Sequence, residues 1–164
     1  MESGTTIVGI IIVIICIIPF ALISFKRRKH TKRQLSRLIH FAEKNNHKVS
    51  RFDVWNNAAI GIDDAARTVF YTRNSGDQKA AQHIQLADIS KCRIVNTGRA
   101  VNNKGGNYSV VDKLELGFSF HDNRNEIFLE LYNVAHDNLT LNGELQLGEK
   151  WCKLVNDKIA DKEK

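Results

Sequence analysis

Histidine, cysteine and aspartate carry most acid–base, nucleophilic and metal-binding chemistry, and this chain holds six histidines and three cysteines. Their spacing speaks against a reaction centre. His30, His40, His47, His83, His121 and His136 form no HExxH pair, and no His/Cys spacing closes a metal shell. His121-Asp122 and His136-Asp137 fall in polar stretches that read as turns, where aspartate supplies turn hydrogen bonds, so a turn role outweighs a general base. Cys16 lies in an apolar run, while Cys92 and Cys152 stand far apart in apolar-patterned segments without a CxxC, as buried reduced thiols do. Asn102–Asn107, NNKGGN, has glycines and a lysine but not the GxxxxGK[ST] order, and no helix opens after it. It reads as a flexible loop. No catalytic residue, cofactor or metal is expected.

Charge narrows the field further. The net charge of +6 suggests nucleic acid until the lysines and arginines are placed. Lys26 to Arg51 contains ten of them against the single acid Glu43, whereas Phe52 onward carries 14 basic and 16 acidic residues. A nucleic-acid binder needs its charge on the folded domain. A cationic collar concentrated before an acidic remainder belongs to membrane topology instead, so nucleic acid is not an expected partner.

The collar follows Ile7–Phe25, IVGIIIVIICIIPFALISF, which contains no charged side chain. Nineteen residues rise about 28 Å as a helix, close to the thickness of a bilayer's hydrocarbon core. A cleaved signal peptide would start with a basic region and end at small residues; MESGTT and SFKRRK do neither. Lys26, Arg27, Arg28, Lys29, Lys32 and Arg33 all lie after the span, which predicts an N-terminus outside and a C-terminal domain in the cytoplasm of an inner or plasma membrane. These six are the candidate membrane-surface residues. Pro19 sits in the last third of the span, where a kink or a tolerated helix-end proline is expected. No GxxxG supports dimerisation through it. The sequons at Asn107-Tyr108-Ser109 and Asn138-Leu139-Thr140 are set aside, because a cytoplasmic domain does not meet the glycosylation machinery.

The expected organisation is a tail (1–6), a transmembrane helix (7–25), a basic connector (26–48), a β domain with a C-terminal helix (49–160) and a last tail (161–164). About 120 residues suffice for one core. In the connector, Leu35, Leu38, Ile39 and Ala42 fall on one helical face, predicting a helix over 31–45 with Phe41 off the stripe. From Val49 the period shortens to two. Strands are expected at Val49–Trp55, Ala58–Asp63, Arg67–Arg73, His83–Leu86, Cys92–Asn96, Lys113–Phe120 and Glu126–Tyr132. Asp63–Ala66 and His121–Asn125 read as hairpin turns and Asn74–Ala80 as a polar loop. In KLELGFSF, Leu114, Leu116, Phe118 and Phe120 alternate with Lys113, Glu115, Gly117 and Ser119, which marks one buried face. Leu141, Leu145, Gly148, Cys152, Val155 and Ile159, widened by Leu147, Trp151 and Leu154, predict an amphipathic helix over the sheet. Trp55 and Trp151 are expected in the core.

Seven short strands and a closing helix resemble the pleckstrin-homology-like barrel. The carriers are the AAIGID…RTVFYTR hairpin, QLADISKCRIV, the KLELGFSF…EIFLELY hairpin and GELQLGEKWCKLVNDKIA. The order of parts is also similar to bacterial single-pass membrane proteins. The resemblance implies a mainly β (α+β), partly open antiparallel barrel with a C-terminal amphipathic helix, used for scaffolding, oligomerisation or docking. Phosphoinositide binders of that family carry a basic cluster in the first hairpin loop; reading that loop as Asp63-Asp64-Ala65-Ala66, it is acidic, and the role does not transfer. The expected function is a membrane-anchored binding or assembly module without catalytic activity, whose partners are the bilayer and either another protein or a second copy. The alternatives are an anionic-lipid sensor using the collar and an enzyme of unassigned reaction.

Overall fold

A computed structural model describes residues 28–75, 78–103, 106–122, 124–137 and 140–161. The expected span at Ile7–Phe25 and the collar residues Lys26 and Arg27 lie outside them. Among the described residues no helix is long and apolar enough to cross a membrane.

The described residues are mainly β, in two antiparallel sheets with one helix before them and one after. Helix α1 covers 28–44. Strands β1 (Arg51–Trp55), β2 (Ala58–Asp63), β3 (Thr68–Ser75) and β4 (Gln78–Gln85) form a four-stranded meander. A 3₁₀ turn at Leu86–Asp88 leads into a three-stranded sheet of β5 (Ile89–Asn103), β6 (Gly106–Phe120) and β7 (Ile127–Asn133). Helix α2 (Glu144–Ala160) closes the chain.

The two sheets and α2 enclose the main core, with Ile60, Val69, Leu116, Phe118, Leu129 and Trp151 almost fully buried. Alternation in β6 is as expected: Leu114, Leu116, Phe118 and Phe120 all point inward. Strand β2 does not alternate, because both of its faces are covered. Ile60 and Ile62 enter the main core, while Ala59 joins Leu38, Ala42 and Phe70 in a second cluster beneath α1. That double burial explains why AAIGID carries no polar side chain before Asp63.

Several expected details are corrected. Of the expected loop Asn74–Ala80, Asn74, Ser75 and 78–80 are strand: β3 and β4 continue to the pair Ser75↔Gln78. The segment Cys92–Asn96 lies within a fifteen-residue strand, and β5 pairs with β6 out to Asn103↔Gly106, so Asn102, Asn103, Gly106 and Asn107 belong to strands. Phe41 belongs to the docked face of α1 and meets Phe70 edge-on at 5.9 Å. In α2 the buried positions are Glu144, Gly148, Trp151, Val155 and Ile159, and Leu145 is exposed. Gly148 sits there because Leu131 lies where a side chain would be: a β-carbon would come within 2.8 Å of Leu131 Cδ1.

The first hairpin turn is Asn56-Asn57, between β1 and β2, and not the acidic Asp63–Ala66 segment. The acids of that second turn are structural. Asp63 accepts from the Lys48, Ala65 and Ala66 backbone N–H groups and contacts His47 Nδ1 at 3.1 Å. Asp64 binds Arg51 and Lys158, each at 2.9 Å, tying β1 to the end of α2.

Candidate functional site

Helix α1 positions the sequence-derived candidates. Arg28, Lys29, Lys32 and Arg33 are all exposed. At 100° per residue they occupy an arc of about 140°, and Gln34, Leu38, Phe41 and Ala42 fill the arc opposite. The helix therefore turns one face to the sheet and its cationic face to solvent. Leu38 and Ala42 are fully buried, and withdrawing a leucine from water contributes about 1.5–3 kcal/mol, which holds α1 in place. Close approach depends on Gly61, where a β-carbon would meet Val49 Cγ1 at 2.8 Å, Leu38 Cδ2 at 3.0 Å and the Arg51 carbonyl at 3.1 Å.

The first turns of α1 also border a cavity of about 520 Å³. The Asn56-Asn57 turn and the His136-Asp137 segment form its other walls. Most of its polar side chains have partners, within the lining or behind it. His30 Nε2 lies 3.1 Å from Asn57 Oδ1, joining α1 to the first hairpin. Asn56, with φ of +40°, donates through Nδ2 to Glu144 Oε1 at 2.8 Å, joining that hairpin to α2. Glu144 is buried in the first turn of α2, where the free N–H groups of a helix favour a carboxylate. Trp55 is half-buried on this wall, and its Nε1 donates to the Leu131 carbonyl of β7 at 2.8 Å. The exposed imidazole of His136 is left facing solvent at the rim.

Behind the cavity lies a charged cluster that spacing did not foretell. Arg73 is 6% exposed and donates to Asp137 Oδ2 at 2.7 Å, and its Nε is 3.2 Å from Glu130 Oε1. Burial is the largest influence and opposes the Arg73 charge, but Asp137, Tyr71 and Glu130 together outweigh it and hold the guanidinium above its ordinary pKa. Tyr71 completes the group by donating to the Glu130 carbonyl at 2.5 Å, and burial raises its phenol pKa. Asp137 also accepts from the Asn133 N–H, so its turn role is present along with the ion pair. The partners lie 57 to 64 positions apart, and only the pairing of sheets brings them together.

Cys92 and Cys152, sixty positions apart in the sequence, are neighbours in space. Cys152 Sγ donates to the Cys92 carbonyl at 3.3 Å, and burial pushes the Cys92 thiol up, so it stays protonated and unreactive. No three His, Cys, Asp or Glu side chains converge as a metal site among the described residues. What the site offers is an arrangement of fixed amides, imidazoles and an indole around a solvent-open cavity, suited to holding polar groups. No protein-family model matches the chain, and neither a curated protein nor a solved structure matches it.

Proposed function

We propose that the chain is a membrane-anchored binding or assembly module without catalytic activity, built on a pleckstrin-homology-like domain. The span at Ile7–Phe25 anchors it in an inner or plasma membrane with the domain in the cytoplasm. The observation that carries this reading is the two-faced α1: Leu38 and Ala42 are fully buried against the sheet, while Arg28, Lys29, Lys32 and Arg33 stand exposed opposite. Such a helix is suited to fixing a domain at a set attitude beside an anionic surface. A four-stranded sheet, a three-stranded sheet and a closing helix, in that order, support the family reading of the fold. The proposed partner surface is the cavity between α1, the Asn56-Asn57 turn and His136, and the partner is a protein or a second copy of this chain.

A photo-crosslinking residue at position 136 of the full chain in native membranes tests this. One discrete adduct is expected there, with none from a control at the exposed Lys91. Adducts from Lys91 alone would move the binding surface elsewhere. A domain accessible only from the outer side would sink the topology.

The exposed collar favours one second reading, attachment to anionic lipid. Each lysine or arginine near such a surface contributes about 1 kcal/mol and is screened by salt. On this reading, changing Lys26, Arg27, Arg28, Lys29, Lys32 and Arg33 to glutamine in a span-deleted chain releases it from anionic vesicles. Retention after neutralisation would remove it.

A further inference from the structure

A second cavity, of about 250 Å³, lies between α1 and the β3–β4 hairpin. It differs in kind from the first. Phe41 and Ala80 give it apolar surface, Arg37 and Lys79 give it positive charge, and none of its lining residues is acidic. Arg73 also reaches it, but that charge is already matched by Asp137 and Glu130. No ion pair involves Arg37 or Lys79 among the described residues; Arg37 makes only a 3.4 Å contact to Gln34 Oε1.

Two buried polar groups in the same walls lack good partners. The Thr72 hydroxyl is buried with no hydrogen bond, in a residue 8% exposed. Gln34 is 2% exposed, and its Nε2 has only His30 Nε2 at 3.4 Å. That ring nitrogen cannot both donate to Asn57 Oδ1 and accept from Gln34. The Asn57 contact is the shorter at 3.1 Å, which leaves the Gln34 amide with at best the weaker contact. Burying unpaired donors is costly, and native proteins retain such groups where a ligand or ordered water completes them.

We propose that this cavity binds a phosphomonoester with a small apolar or neutral body. Arg37, Lys79, Gln34 and Thr72 provide donors from four side chains, which suits the three terminal oxygens of a phosphate better than the two of a carboxylate. Phe41 and Ala80 receive the ester group. The volume is slightly below the usual range for small-molecule sites, so the body is small. Arg37 lies about 14 Å along α1 from Arg28, whereas a headgroup layer is about 6 Å deep. An α1 that stands away from the bilayer takes a soluble phosphate ester at this site, and an α1 that lies along the surface takes a phosphatidate head.

The test is calorimetric titration of the full chain, in neutral detergent, with butyl phosphate and inorganic phosphate, followed by vesicles of phosphatidylcholine with and without phosphatidic acid. Saturable butyl phosphate binding is expected, about tenfold weaker in Arg37→Gln and in Lys79→Gln. Thr72→Val is the control for folding: it removes a hydroxyl that has no protein partner, so it should weaken binding severalfold while leaving Tm unchanged or higher. Loss of phosphatidate-vesicle binding in the same variants assigns the phosphate to lipid; unchanged vesicle binding beside weakened butyl phosphate binding assigns it to a soluble ester. No saturable binding of either kind, or binding indifferent to all three substitutions, overturns the site. Equal affinity for inorganic phosphate overturns its assignment to an ester.

Discussion

Asn156 holds the backbone of Cys92 with both ends of its side-chain amide. Nδ2 donates to the Cys92 carbonyl and Oδ1 accepts the Cys92 N–H, each at 2.9 Å. The amide thus does what a neighbouring strand would do for β5, the outer strand of its sheet. The opposite edge is treated likewise, since Trp55, Tyr71 and Arg73 donate to the Leu131 and Glu130 carbonyls of β7. At these points the sheet is closed to another chain.

Asn156→Ala leaves the Cys92 N–H without its side-chain partner beneath α2 and the Cys92 carbonyl with only the weak Cys152 thiol donor. A loss of about 1–3 kcal/mol is expected in urea unfolding. Asn156→Asp retains the acceptor and loses the donor, so it should destabilise through the carbonyl. If Ala costs nothing measurable, water replaces the amide and the clamp contributes only geometry.

The Arg73–Asp137 pair is buried on both sides, with the side chains 6% and 2% exposed. Removing one partner strands the other, and Arg73→Met or Asp137→Asn alone should each cost about 3–5 kcal/mol. The double variant should lose much less than the two costs combined. Additive losses in denaturant titrations would show that the two residues act separately.

Acid should unfold the domain partly through the second hairpin turn. The Ala66 N–H, aided by Lys48, His47 and Ala65, lowers the Asp63 pKa against the opposing effect of burial. Arg51, then Lys158 and Ser50, pull Asp64 well below the ordinary carboxylate range, again against burial. Folded pKa values below the unfolded value of about 3.9 mean stabilisation that is complete above that pH and lost as pH falls through the folded values. Urea midpoints should therefore hold near neutrality and drop below about pH 4. Asp64→Asn should start lower and fall less steeply. A parallel curve for the variant would place the acid sensitivity elsewhere.

How much of this was legible in the sequence depended on whether the signal was local. Leu114 to Phe120 alternates because one face of β6 is buried, and that period survives into the fold unchanged. Strand β2 was found by its apolar run, although its two-sided burial was not visible, because α1 supplies the second cover. The β3–β4 hairpin was missed because Asn74, Gln78, Lys79 and Gln82 are polar; they extend the ladder through backbone pairing, which no side chain announces. In α2 the exposed Leu145 shared the periodicity of the buried face, and only contact with Leu131 shows that Gly148 and Trp151 centre it. The collar was legible as charge. The cavity walls were not, since they gather residues from α1, the first hairpin and the segment before α2.

Gly61→Ala should loosen α1. The new methyl group would crowd Leu38, Val49 and the Arg51 carbonyl, and a backbone oxygen cannot swing aside. A loss of about 1–3 kcal/mol is expected, with faster amide exchange over 34–44 than in β6. Uniform acceleration across the domain would mean that α1 and the sheets open together.

The seating of Leu38 and Ala42 also sets the compass bearing of the cationic face. One residue inserted between Arg33 and Gln34 would swing Arg28, Lys29, Lys32 and Arg33 by about 100° around the helix axis, whereas seven would return them to within about 20°. Chain length at that junction is therefore quantised: α1 can be lengthened there by whole heptads and its cationic residues still address the same side of the domain.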